Sequence, residues 1–416
     1  MSVLEKVSGL AAARKVRASW PMVLIAVAAA ILLISVLRAV TGADDVASSG
    51  TIRAGIRAAM PIALAGLGGL WAERAGVVNI GLEGMMIMGT LGAGYAGYQW
   101  GMWAGLFFAL LFGALAGLLH AVATVGFGVD HIVSGVAINV IAAGASRYIA
   151  GLLFTGKEGG GPTQSPKVGS ITTFDVPLLG DWSSRLEGKN WFFLSDLGAV
   201  VASFTNRLSL LTLLGVALFV LTWWVLWRTT FGLRVRSVGE SPAAAESLGV
   251  NVYRYKYIAV IVSGALAGLA GAYLVDDASI YREGQTGGRG YIGLAAMIFG
   301  NWRPGGLAAG AGLFGYADAV RLRSGEESVH ALLLLVVVLL VVVAAWMLRR
   351  GSRRQAVITG GIGVALLVLF LVTDTIANDF TSMTPQLVTL LVLALAAQRL
   401  RMPAADGQVY RKGSAG

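Results

Sequence analysis

Cysteine is absent from the 416 residues, which excludes a disulfide framework, a thiol nucleophile and a thiolate-held metal. Histidine occurs only at His120, His131 and His330, too scattered along the chain to suggest a ligand set. Charge is scarce. Lys and Arg number 32, Asp and Glu 22, and together they make 13% of the chain, about half the ~25% of a soluble domain. With 9 prolines, and 57 glycines that keep no fixed period, collagen-like and proline-rich chains are excluded too. A nucleotide-hydrolysing loop is also missing: no G-x-x-x-x-G-K-S/T occurs, and Gly156-Lys157-Glu158 has the wrong following residue. Gly288-Arg-Gly-Tyr-Ile-Gly293 fits G-x-G-x-x-G, yet it follows no predicted strand, so a dinucleotide site is not expected. Catalysis would be left to Ser, Asp and Glu, and no motif arranges them for it.

What is present is apolar chain in membrane-length pieces. Hydrophobic residues make 56% of the sequence and the mean hydropathy is +0.74, more apolar surface than a water-soluble chain of this size can cover. A bilayer core of ~30 Å needs roughly 20 apolar residues in helix. Trp20–Val40, Gly101–Val125, Ile132–Phe154, Leu208–Trp227, Tyr257–Val275, Ala331–Leu348 and Ala356–Val372 qualify or come close. Less regular candidates lie near 55–73, 80–98, 290–300, 304–320 and 385–400. The expectation is an all-α polytopic membrane protein with roughly ten to twelve helical crossings, because lipid offers open backbone no partner. Gly290–Gly300 is short enough to be a broken or re-entrant helix. The first run reads as a retained anchor rather than a cleaved leader.

Cations in the loops set the orientation. Clusters at Lys6–Arg17, Arg228–Lys256, Arg349–Arg354 and Arg399–Lys412 share one side when about twelve crossings are counted, and the positive-inside rule makes that side the cytoplasm. Both termini are then cytoplasmic, and the polar stretch Thr155–Arg207 is extracellular. The formal net charge of +10 is on this reading a topology signal and not a nucleic-acid footprint.

Glycine spacing carries further information. Gly113-Ala-Leu-Ala-Gly117, Gly264-Ala-Leu-Ala-Gly268 and Gly306-Leu-Ala-Ala-Gly310 each put a smooth strip on one helix face, where backbones can approach closely. Ile80-Gly-Leu-Glu-Gly-Met-Met-Ile-Met-Gly89 and Ile292-Gly-Leu-Ala-Ala-Met-Ile-Phe-Gly300 share Ile, Gly, Leu and Met in register. The first starts inside and runs out, the second starts outside and runs in, as in an inverted internal repeat. Polar or glycine-rich chain precedes each copy, and such broken helices are where a substrate site is sought.

Several stretches together resemble one family. GLWAERAGVVNIGLEGMMIMG (Gly69–Gly89), VDHIVSGVAINVIA (Val129–Ala142), FGLRVRSVGESPAAAESLGV (Phe231–Val250), GGRGYIGLAAMIFGNWRPGG (Gly287–Gly306) and PAADGQVYRKG (Pro403–Gly413) are similar, in this order, to segments of ABC-transporter permeases that import nucleosides. These are relatives of the simple-sugar and branched-chain amino acid permeases. His131 stands where that family often has Gln. The resemblance implies a non-enzymatic permease subunit of the bacterial cytoplasmic membrane. It would work with ATP-binding cassette ATPase subunits, a second permease subunit and an extracytoplasmic substrate-binding (lipo)protein. No cofactor and no nucleic acid are implied. The rivals are a simple-sugar permease and, from another class, an ion-coupled secondary transporter.

On this reading residues 1–50 form a cytoplasmic amino end plus an extra anchor. Residues 51–402 form the permease, with an extracellular stretch at 155–207 and a coupling segment at 229–255, and 403–416 form a cytoplasmic tail. The coupling segment is amphipathic. Ser241 can cap a short helix with Pro242 at its first position, and Gly249 can end it. Phe231, Gly232, Arg234, Gly239, Glu240, Ala244, Ala245 and Gly249 are the expected ATPase-coupling residues, with Ala244 and Ala245 at the contact. For the substrate path, Asn79 is expected to cap a helix starting at Ile80, with Glu83 in its first turns or paired to Arg74. Asn139 offers amide donors and acceptors mid-span, and Arg289 and Tyr291 precede the second repeat.

Overall fold

A computed structural model describes residues 20–375 and 400–413. In chain order its helices are α1 Trp20–Thr41, α2 Ser49–Arg74, α3 Leu82–Trp100, α4 Met102–Ala121, α5 His131–Phe154, α6 Leu179–Glu187 and α7 Leu194–Thr205. They continue as α8 Leu210–Arg228, α9 Thr230–Glu240, α10 Pro242–Ser247, α11 Val252–Ala278, α12 Arg289–Phe299, α13 Pro304–Arg349 and α14 Arg353–Val372. The one sheet among the described residues pairs β1 Thr173–Phe174 with β2 Leu208–Ser209, antiparallel, and pins the start of α8 to the polar stretch. The chain is an all-α polytopic membrane protein.

Among the described residues, seven helices are long and apolar enough to cross a bilayer: α2, α4 with its continuation to Gly126, α5, α8, α11, the apolar half of α13 from Glu326, and α14. Roughly ten to twelve crossings were expected; α1, apolar over Ala28–Thr41, and α12 fall among the shorter apolar helices, and three further differences remain. The helix expected at 80–98 exists as α3, but glycine, Thr90 and Glu83 dilute its hydropathy. It is a central helix, buried along most of its length, and needs little lipid-facing surface. The runs expected separately at 304–320 and 331–348 are one continuous helix of 46 residues, about 69 Å at ~1.5 Å per residue. Arg349 therefore stands a whole long helix away from Pro304, so the crossing count no longer places Arg349–Arg354 with the other basic clusters. The run near 385–400, with Arg399, and the amino-terminal cations Lys6, Arg14, Lys15 and Arg17 lie outside the described residues.

Glycine decides how the inner helices pack. In α2 and α11, 72% of the most apolar window is buried, against 22% in α5 and α8, so α2 and α11 are inner and α5 and α8 form an apolar outer ring. Two of the small-residue motifs meet face to face. A Cβ on Gly264 would stand 2.2 Å from the carbonyl oxygen of Gly113, and one on Gly268 would stand 2.1 Å from that of Ala109. Gly89 of α3 closes on Gly268 from the other side, its Cβ direction 2.3 Å from the Gly268 oxygen. Three helices thus touch backbone to backbone along one seam, which no larger residue permits. The third motif serves α12: Gly306 abuts Gly300, and Gly310 abuts Ala296.

Overpacking of this kind typically costs ~1–3 kcal/mol. Gly264→Val should lower the unfolding temperature of the purified protein, followed by tryptophan fluorescence. Gly144→Val, where a Cβ meets nothing within 4 Å, should leave it unchanged. Equal melting of the two variants would contradict the seam.

Candidate functional site

After α2 the chain turns at Gly76, whose φ of +77° suits glycine, and then runs without helix through Val77 to Gly81 before α3 begins at Leu82. Open backbone inside an apolar bundle must find partners in the protein. Here they are side chains. Val78 N–H donates to His131 Nδ1 at 3.3 Å, and Val78 C=O accepts from His120 Nε2 at 3.1 Å. His120 therefore carries its proton on Nε2, and its Nδ1 accepts from Ser134 Oγ at 2.9 Å. The Lys256 ammonium donates to Gly76 C=O at 3.2 Å, and Asn139 Nδ2 donates to Ile80 C=O at 3.0 Å.

The first turn of α3 meets the first turn of α12. Glu83 is buried at 6% exposure, and its two carboxylate oxygens accept from Gly288 N–H at 2.9 Å and Gly290 N–H at 2.7 Å. An anion lying across a helix N-terminus is favoured by the unpaired N–H groups there. Gly288 caps α12 with φ +79°, and a Cβ on Gly290 would stand 2.7 Å from the Glu83 backbone. Beside this pair, Asn139 Oδ1 accepts from Gly84 N–H at 2.7 Å, and its Nδ2 also donates to Tyr291 Oη at 2.9 Å. Asn139 is eight residues past His131, which sets the junction about 12 Å into the bundle. The lead-in to α3 comes from the Arg74 end of α2. The lead-in to α12 comes from the opposite end, where Tyr281 N–H donates to Ser165 Oγ in the polar stretch.

Three of the five path residues come together, Glu83, Asn139 and Tyr291, while Arg289, two residues before Tyr291, turns its guanidinium to Asp318 at 3.5 Å. Tyr291 is 47% exposed and forms the open edge of the cluster. Asn79 differs from expectation. Gly81, not Asn79, holds the cap position of α3, and no side chain caps it. Because 77–81 is not helical, Asn79 reaches sideways, donating to Ser263 Oγ at 2.9 Å and to Met85 Sδ at 3.3 Å, while Asn139 supplies the acceptor that Gly84 needs. Nor does Glu83 pair with Arg74, whose guanidinium donates to Trp302 C=O at 3.0 Å. His120, His131, Lys256 and Ser263 were not expected at the site. Their signal in the sequence was isolation, since a lone polar residue in an apolar run has to have a partner.

The expected coupling residues divide into two sets. Thr229 caps α9 through Gly232 N–H at 3.1 Å, and Gly232 lies against the backbone of Val225 and Leu226. Phe231 packs on Tyr255 and Trp71, and Arg234 donates to Tyr255 Oη at 3.0 Å. Gly239 presses on the Arg74–Gly76 backbone, where a Cβ would stand 2.3 Å from Arg74 O. Pro242 opens α10 as expected, but Ser241 makes no side-chain cap bond. Ala245 corrects the expectation of an outward contact: it is buried with Val238 and Val252. Ala244 and Leu248, the latter 84% exposed, face outward, and Gly249 ends the segment at φ +80°.

The tail docks against this segment. Ala405 N–H donates to Gly239 C=O at 2.9 Å, and Ala404 N–H donates to Glu240 Oε2 at 3.2 Å. Asp406 is buried beside Glu73, with no hydrogen-bond donor to either of its carboxyl oxygens among the described residues. Burial pushes Asp406 up to about 7, against the pull of Glu73, Lys256 and Arg74. Its unfolded value is ~3.9, so the docked tail holds its proton more tightly than the free tail. Docking is then strongest below pH ~4 and weakens as pH rises through about 7. Hydrogen exchange at 404–407, corrected for intrinsic rates, should be slower at pH 6 than at pH 8, and Asp406→Asn should flatten the difference. Equal protection at both pH values in the unmodified chain would contradict this.

Residues 51–344 match the family described as branched-chain amino acid transport system / permease component. The chain is 37% identical over 273 residues to the guanosine ABC transporter permease protein NupQ of Bacillus subtilis, covering 64% of this chain and 79% of that one. It is 32% identical over 361 residues to the nucleoside ABC transporter permease protein NupC of Lactococcus lactis, covering 85% and 93%. A putative glucose ABC transporter permease protein, TsgC13 of Haloferax volcanii, is 33% identical over 279 residues, covering 67% and 78%. No solved structure matches significantly.

Proposed function

Because the chain belongs to the family of permease components of the branched-chain amino acid transport system, we propose that it is a permease subunit of a bacterial ATP-driven importer whose cargo is a nucleoside. Separate ATPase subunits hydrolyse the nucleotide, a second permease completes the path, and an extracytoplasmic binding protein delivers the cargo. Similarity to permeases named for guanosine and nucleosides supports the cargo class. The junction of α3 and α12 is the observation that carries the proposal. Two helix N-termini approached from opposite ends of the bundle meet at Glu83, which supports the reading of an inverted repeat around a transport site. A nucleoside is uncharged and presents base edges and hydroxyls. Tyr291, held by Asn139, offers a hydroxyl and an aromatic face at the open edge of that junction, and Arg289 two residues earlier carries further donors.

The basic residues Arg228, Arg234, Arg236 and Arg254 gather around α9 and α10, and the tail with Arg401, Arg411 and Lys412 lies beside them, which supports a cytoplasmic position for both. The polar stretch 155–207 is then extracellular. Movement of an ATPase against Ala244 and Leu248 passes through Gly239 to the Arg74–Gly76 turn, and so to the lead-in of α3. Nothing is chemically changed in this chain.

Uptake of labelled guanosine should fall in a deletion strain and return with the gene, while Tyr291→Ala should reduce it about tenfold without lowering the amount of protein in the membrane. The relative named for glucose supports a sugar reading. Restored glucose uptake with unchanged guanosine uptake would move the assignment there.

A second measurement separates the two faces of α10. Ala244→Trp adds volume to an exposed position, so it should leave the permease folded but cut ATPase co-purification by roughly five- to a hundredfold, the equivalent of ~1–3 kcal/mol. Ala245→Trp adds it inside the chain's own packing and should lower the unfolding temperature instead. Undiminished co-purification by Ala244→Trp would remove the docking assignment.

A further inference from the structure

At the end of the bundle opposite the coupling segment, four arginines from three separate parts of the chain converge. Arg53 and Arg57 lie in the early turns of α2, Arg207 just precedes α8, and Arg323 just precedes the apolar half of α13. With Gly50 and Ala54 they line a pocket of about 180 Å³ in which no carboxylate takes part. The convergence is close. The Arg323 guanidinium fills the space beside Gly50, 2.5 Å from where a Cβ would stand. Arg53 Nε is buried without a hydrogen-bond partner, an unusual condition for a charged donor.

The neighbouring acids are committed elsewhere. Glu187 accepts from Ser49 N–H at 2.9 Å, and Asp175 accepts from the backbone N–H of Arg207. Asp277 approaches only Arg57, at 3.7 Å. Among the described residues, no carboxylate lies within ion-pair distance of Arg53, Arg207 or Arg323. Like charges held together in this way repel unless an anion joins them.

The four side chains flank the ends of apolar helices, at the depth where phospholipid phosphates lie. Guanidinium forks match the oxygens of a phosphate in pairs, and the pocket admits one such group. We infer that this pocket binds a phosphate group, carried by an anionic phospholipid headgroup or by the free ion. The site is remote from the Glu83 junction and does not depend on the identity of the cargo.

The test uses the full purified chain in non-ionic detergent, with dioctanoyl phosphatidylglycerol and inorganic phosphate as probes. Native mass spectrometry and the shift in unfolding temperature read binding. The unmodified chain should bind at least one probe saturably, and Arg53→Gln with Arg207→Gln should bind it at least tenfold more weakly, the scale of one lost charge-assisted bond. Tight phosphatidylglycerol binding with phosphate effective only at far higher concentration identifies a lipid headgroup; comparable phosphate binding identifies the free ion. Arg323→Gln, at an exposed position, should weaken the same probe without changing the ligand-free unfolding temperature, and it carries the test if the double variant does not fold. Unaltered binding of both probes in the variants would overturn the site, as would binding of neither probe by the folded unmodified chain.

Discussion

A stretch of backbone that is not helical, largely enclosed by the bundle, governs the rest of this structure. The chain from Val77 to Gly81 lies inside an apolar bundle, and each unpaired N–H or C=O there would cost free energy that a protein of ordinary stability cannot spare. His120, His131, Asn139 and Lys256 are the response. They are expensive to bury, and they persist because each is matched to at least one backbone group. This one constraint accounts for much of the polarity inside the bundle and fixes where α3 begins. It also places Glu83 opposite α12.

The apolar runs were legible because burial in lipid imposes a length on them, and α2, α4, α5, α8, α11 and α14 fall close to where hydropathy put them. The small-residue motifs were legible as packing faces, though nothing local said that the Gly113 face and the Gly264 face would be each other's partners. Helix starts were harder. Asn79 two residues before Gly81 has the chemistry of a cap, yet tertiary hydrogen bonding turned it towards Ser263. Glu83 looked like a charge for its own helix and is bound instead by the amides of another, more than two hundred residues away in sequence. Such pairings depend on three-dimensional neighbours and leave no trace in local spacing. Ala244 and Ala245 are alike in composition, and only the packing of Val238 and Val252 distinguishes inside from outside.

The segment α9–α10 and the tail form one structural unit. Gly239 is shared between them, giving its carbonyl to Ala405 and its bare Cα to the Arg74–Gly76 turn. A surface helix that merely connected two spans would not need so close a fit to the membrane domain. Asp406 of the same tail is buried beside Glu73 in the last turn of α2. Force applied at α10 therefore has a short, well-packed route to the place where α3 is broken.

The glycine seam between α4 and α11 has a mechanical consequence. Most helix contacts are geared: side chains interlock, and relative motion requires many of them to change rotamer together, so the contact moves in steps. Where Gly113, Gly117, Gly264 and Gly268 meet there are no teeth. The two backbones bear directly on one another, with little side-chain entropy to lose in closing and no rotamers to re-sort in tilting. Such a surface behaves as a plain bearing, stiff to compression and smooth to rotation, set between α4 and the inner helix α11.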